Sequence, residues 1–162
     1  MREVPTGSQT VGPFFHHGLI RDDLRRVPAP GTQEADVVVS GRVVDGQGEG
    51  VPDAMLEFWH PSSGFARAAT DGEGRYRISL PRPRPEGPDR APYFAVALFA
   101  RGLLRQLHTR CYLPGDPALD RDPVLASVPP GRRGTLVGVP RGGEVGFDVV
   151  LQGPGETVFF TF

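Results

Sequence analysis

The sequence predicts an all-β fold, a two-sheet β-sandwich with an extended N-terminal arm and long surface loops. Three observations point there. Short apolar or alternating runs recur seven or eight times along the chain, the period-two signature of strands. Gly (22) and Pro (18) make up about a quarter of the 162 residues and fall largely between those runs, where turns belong. One run, Tyr93 to Ala100, is apolar almost throughout, as a central strand buried on both faces must be. So much Gly and Pro approaches the composition of disordered chains, but the alternation between the breaks argues for strands joined by turns. The length suits a single domain, 1–162, burying roughly 70% of its unfolded surface.

Residues 1–36 form the arm. Gly12-Pro13-Phe14-Phe15 and Val27-Pro28-Ala29-Pro30-Gly31 break any periodicity, so no strand or long helix is expected there. Phe14, Phe15, Leu19 and Ile20 need burial, which predicts an arm draped over a surface. Adjacent His16 and His17 cannot both reach one metal from an extended chain. The first strand is Val37 to Val44 and the second Ala54 to Trp59, joined by a glycine-rich turn with no helix after it, which makes a phosphate cradle a poor reading. Trp59, the only tryptophan, is expected to anchor the core, and His60 to sit hydrogen-bonded at the surface. Arg75 to Leu80 alternates with Tyr76, Ile78 and Leu80 on one face. The acidic turn before it lacks the bidentate Glu of a calcium loop. Pro81 to Pro92 reads as an extended surface connection.

A hairpin follows. Tyr93 to Ala100 leads through a two-residue turn, Arg101-Gly102, into an alternating return strand in which Leu107, Thr109, Cys111 and Leu113 share a face. Residues 114–134 are an irregular excursion with a short helix around Asp120 to Ser127. Thr135 to Val139, Val145 to Leu151 and Thr157 to Phe162 would complete the sheets.

The composition removes several functions. A formal net charge of −1 provides no field for nucleic acid or a membrane surface. No apolar run approaches the ~18 residues of a span, and the N-terminus has no apolar leader, which predicts a soluble, cytoplasmic protein. A single cysteine, Cys111, excludes an internal disulfide and, alternating with Leu107 and Leu113, reads as core. No Ser-His-Asp, Cys-His or P-loop arrangement is present. A hairpin floor could carry a metal through His-x-His on its first strand, because period-two spacing aims both rings at one point. Here that pair is Tyr93 and Ala95. The residues alone specify no reaction.

Motifs spread along the chain carry a resemblance. They are Ser8-Gln9-Thr10-Val11-Gly12-Pro13-Phe14-Phe15-His16, Leu56-Glu57-Phe58-Trp59, Phe65 to Thr70, Leu98 to Gly102, Leu107-His108-Thr109-Arg110-Cys111-Tyr112 and Gly155-Glu156-Thr157-Val158-Phe159-Phe160. In this order they resemble the intradiol ring-cleaving dioxygenases, and among those the α subunits of the two-chain members that act on protocatechuate. The resemblance implies an α/β heteromer in which a β subunit holds non-haem Fe(III) through two tyrosines and two histidines. That complex would convert protocatechuate and O₂ to 3-carboxy-cis,cis-muconate in aromatic catabolism. It also implies no metal ligand and no catalytic residue in this chain. The family's His-x-His falls on Tyr93 and Ala95, and no tyrosine occurs between Trp59 and Arg75 or in Pro81 to Pro92. The same resemblance places Arg101, Thr10, Gly12, Pro13 and Phe14 against the substrate at the subunit boundary. A Gly-Pro turn would let the backbone approach a flat ring, and the arginine would suit a carboxylate. The segment from Trp59 to Arg75 looks shortened against that family. A free-standing sandwich acting as a binding or assembly module is the competing reading.

Overall fold

The structure, a computed structural model, describes residues 6–12, 14–21, 26–31 and 36–161. Two sheets face each other. The first runs β1 (Arg26–Pro28), β4 (Gly64–Ala69), β3 (Met55–His60), β6 (Tyr93–Phe99), β7 (Leu107–Tyr112), with antiparallel neighbours throughout. The second is organised on β2 (Asp36–Val44), which pairs antiparallel with β5 (Arg75–Pro81). It also pairs parallel with β9 (Glu144–Gly146) and β10 (Val149–Val150), and β8 (Val139–Arg141) closes the edge beside β9. Between β9 and β10 the chain steps over Gly41, where the Phe147 carbonyl lies 1.9 Å from the place a Cβ would occupy. Only glycine leaves room for that crossing.

The main core lies between the sheets. Leu56, Phe58, Phe94, Val96, Leu98 and Cys111 from the first sheet meet Val39, Val43, Ile78, Leu80, Phe147 and Val149 from the second. Cys111 is fully buried and its thiol is pushed far up by that burial, as a packing residue requires. A second cluster covers one end of the outer face of the first sheet. There Tyr93 and Tyr112 pack with Ala118, Leu125, Val128 and Leu136 from the excursion after β7. That excursion holds two short helices, α2 (Pro123–Ser127) and α3 (Pro130–Arg133). The helix expected around Asp120 to Ser127 is α2, begun by the Asp122 cap and a proline in its first turn. β6 is therefore buried on both faces at its start and only on the inner face further along.

Several expectations are corrected. The arm carries a five-residue helix, α1 (Phe15–Leu19), and the edge strand β1, both too short to leave a periodic pattern. β4 is a strand outside those expected from the sequence, because Gly64–Ala69 neither alternates nor runs apolar without a break. The hairpin connection spans residues 100–106 rather than two residues: Arg101-Gly102 does turn, but Leu98 pairs with Leu107, so the ladder resumes later. Thr135 lies in a 3-10 turn, Gly134–Leu136. Residues 157–161 form no ladder: Thr157 N–H donates to the Val150 carbonyl of β10, the Val158 carbonyl accepts from the Thr109 hydroxyl of β7, and Phe160 makes an isolated bridge to His108. Among the described residues no helix is long and apolar enough to cross a membrane.

Candidate functional site

Two places on the first sheet gather the residues singled out by sequence. One is the turn after β6. Leu103 donates to the Ala100 carbonyl at 3.2 Å, and Gly102 takes φ +90, a conformation that other residues rarely adopt. The arm is clipped to this turn by one hydroxyl. Thr10 Oγ1 accepts from the Gly102 N–H at 2.9 Å and lies 3.3 Å from the Ala100 carbonyl, to which it donates. Arg101, between those two residues, sends its Nη2 to Asp53 Oδ2 at 2.8 Å, with the side chains 54% and 35% exposed. Asp53 itself holds φ +57 in the tight turn before β3. The structure thus joins Thr10 to the Arg101 turn. Gly12 lies exposed on the arm, its carbonyl accepting from Phe15 N–H, and Phe14 is 77% exposed. Pro13 lies outside the described residues. Beside the turn, Gln9 and Val11 of the arm and Leu103 and Leu104 of the loop line a cavity of about 170 Å³.

The other place is the outer face of the same sheet, where the second cluster stops. Strand register sets out two rows of side chains. Phe65, Trp59, Ala95 and Arg110 lie across the four strands in one row, and Arg67, Glu57, Ala97 and His108 in the next. Ala95 and Ala97 stand on β6 between larger side chains of β3 and β7, which leaves a trough of about 180 Å³. Trp59 is corrected here: it is 50% exposed on the wall of this trough, because Leu56, Phe58 and His60 take the buried positions of β3. Glu57 is neutralised by Arg67 through two donors to one carboxylate oxygen. Arg110 stacks over the Tyr93 ring, 4.0 Å from its centroid, and donates to the Tyr112 hydroxyl at 3.1 Å. Tyr112 passes the chain on to buried Asp122 at 3.0 Å.

His60 also departs from its expected surface position, being only 2% exposed. Its Nδ1 faces Ser62 Oγ at 2.9 Å, its ring meets Tyr93 edge-on at 5.5 Å, and Nε2 lies 3.8 Å from Glu86. Burial pulls this imidazole below its usual range, and Glu86 pulls part of the way back. Burial raises the Tyr93 phenol, with Arg110 opposing.

Similarity to known proteins decides the family. The protocatechuate 3,4-dioxygenase alpha chain of Burkholderia cepacia is 38% identical, the match covering 96% of each chain. The chain belongs to the intradiol ring-cleaving dioxygenases, with the protocatechuate 3,4-dioxygenase alpha chains. The beta chain from the same organism is more distant, at 29% over 93% of this chain and 77% of its own length. Among solved structures, the dioxygenase domain of a dioxygenase–carbohydrate-binding protein fusion from Streptomyces sp. SirexAA-E superposes with a TM-score of 0.58. It is 23% identical over 80% of this chain and 85% of its own, and shares the fold. No protein-family model matches. The alignment to the alpha chain runs over 190 positions, more than the 162 residues here, so that relative has stretches without a counterpart.

Intradiol dioxygenases depend on non-haem iron. The donor set at the Tyr93-x-Ala95 pair does not fit such an ion. Ala95 offers a methyl group, and the Tyr93 face is covered by a guanidinium that would repel a cation. Among the described residues no group of three or more His, Cys, Asp or Glu could hold a metal.

Proposed function

We propose that this chain is the iron-free α subunit of a protocatechuate 3,4-dioxygenase, lining an active site whose Fe(III) is held by a β subunit. The complex would open the protocatechuate ring, placing both atoms of O₂ in 3-carboxy-cis,cis-muconate. The observation that carries the reading is the match to an alpha chain along 96% of both sequences, with Ala95 in place of a ligand. In this reading Arg101 recognises the substrate carboxylate. Asp53 occupies one guanidinium nitrogen, and the remaining donors of the exposed fork are available for a second acceptor. Thr10 fixes the turn, while Gly12, Pro13 and Phe14 approach the ring from the arm. Phe14 and Leu104, both exposed apolar side chains, would be covered by the partner.

Co-expression with a chain bearing Tyr, Tyr and His-x-His tests the reading. The expected product is a coloured complex that consumes O₂ with protocatechuate, whereas this chain alone carries no stoichiometric iron and tends to self-associate. One iron per chain in the isolated protein, or a soluble monomer that ignores every such partner, would overturn it.

A further inference from the structure

We infer that the trough over Ala95 and Ala97 is a second, non-catalytic binding site, one that takes a small planar aromatic carboxylate. Three features of the chain carry this, and none depends on the Arg101 assignment. The floor is cut to methyl groups on β6, so a flat ring can lie against the sheet between the larger side chains of β3 and β7. One wall is aromatic: Trp59 is half-exposed beside Phe65, an arrangement that leaves a large ring face uncovered in the free chain. The opposite wall carries Arg110, and its only bonded partners among the described residues are the Tyr112 hydroxyl and the Tyr93 face.

Charge decides the ligand class. Glu57 is already matched by Arg67, and burial keeps Tyr93 and Tyr112 protonated. Arg110 is therefore the one cation lining the trough without a carboxylate partner among the described residues. Its orientation is set from below, since Tyr112 is itself held by Asp122 in the interior. A guanidinium fixed in this way offers its remaining N–H groups to a carboxylate at little further entropic cost. A volume of about 180 Å³ leaves room for one ring with a small substituent.

Isothermal titration of the full chain, alone or in the complex it purifies with, provides the test, using 4-hydroxybenzoate as probe. The expected result is one saturable site per copy of this chain that Ala95→Leu abolishes, because the leucine fills the floor. Arg110→Gln should weaken that site roughly ten- to a hundredfold, the worth of a charge-assisted bond. Phenol, lacking the carboxylate, should bind more weakly by a similar factor, and cyclohexanecarboxylate, lacking the flat face, should also bind less well. In the isolated chain, Trp59 fluorescence should change with the same midpoint. Identical stoichiometry and affinity in the wild type and Ala95→Leu would overturn the proposal. In the complex the catalytic site at Arg101 is counted separately, as the one that Arg101→Ala weakens and Ala95→Leu spares; a titration in which that is the one site seen, with none that responds to Ala95→Leu, would also overturn the proposal.

Discussion

The β6–β7 pair ends in two different ways. At the Tyr112 end, Asp122 is fully buried and its two oxygens accept from Ala91, Val124 and Leu125 N–H and from the Tyr112 hydroxyl, at 2.9–3.2 Å. At the Arg101 end, the ion pair with Asp53 and the clip from Thr10 sit largely in solvent. Both ends use a carboxylate and hydrogen bonds, and burial separates what those bonds do. In the interior no water replaces a lost partner, so the Asp122 node fixes structure. At the surface each bond is worth little and can be exchanged, as the role proposed for Arg101 requires.

The largest effect should come from the buried end. Asp122→Ala strands several donors at once, each costing about 1–3 kcal/mol, so a loss of about 3 kcal/mol or more is expected. For a chain of this size that lowers the melting temperature by roughly ten degrees. Thermal unfolding followed by circular dichroism measures it. A loss under about 1 kcal/mol would mean that the loop relaxes and lets water in, and the contrast between the two ends would fail.

Arg101→Ala should do the reverse. Stability should change by less than about 1 kcal/mol, since an exposed pair contributes little. In the assembled complex, kcat/KM for protocatechuate should fall roughly ten- to a hundredfold with iron content unchanged. Unsubstituted catechol has no carboxylate to meet, and its turnover should respond much less. Equal losses on both substrates would make Arg101 a support of the interface. Asp53→Asn sharpens the point: it frees the guanidinium, so protocatechuate use should hold or improve.

The arm clip comes next in size. Thr10→Val removes two hydrogen bonds to the turn, a net of about 0.5–1.5 kcal/mol each at most, and less where water substitutes. Limited proteolysis should cut the arm faster in the variant while the sandwich stays intact. An unchanged rate would show that buried Phe15 holds the arm instead.

These contrasts explain what could be read from sequence. The sandwich was legible because β2, β5, β6 and β7 alternate or run apolar against a one-sided or two-sided core. β4 was not, since its small residues Ala66, Ala68 and Ala69 face a sheet neighbour without a periodic signature. Trp59 and His60 exchanged places for a related reason. Residue type predicts a buried tryptophan and an exposed histidine, but register decides, and Leu56 and Phe58 fix the inward parity of β3. The trough was invisible because its rows join residues as far apart as Phe65 and Arg110. That the Tyr93-x-Ala95 pair carries a methyl group at its second position, by contrast, needed only the spacing on one strand. Arg101 stands out in its turn, but the partner it meets, Asp53, lies 48 residues away and no local signal connects them.

The smallest effect expected is a pH dependence of stability at His60. In the folded state burial holds its pKa below 6.5, against the partial pull of Glu86, whereas in the unfolded chain it returns to about 6.5. Below pH 6.5 the unfolded state therefore binds more protons than the native state. The contribution from neutral His60 is fully present above pH 6.5. It declines as pH falls through that value, until the folded imidazole also charges. Melting temperatures measured between pH 7.5 and 5.5 should fall in the wild type. The slope should be shallower in His60→Asn, which keeps an acceptor near Ser62 and cannot titrate. Glu86→Gln should steepen it, because the carboxylate that pulls the imidazole part of the way back up is then gone. Superimposable pH profiles for the wild type and His60→Asn would mean that water reaches Nε2 and that the ring titrates as an ordinary surface histidine.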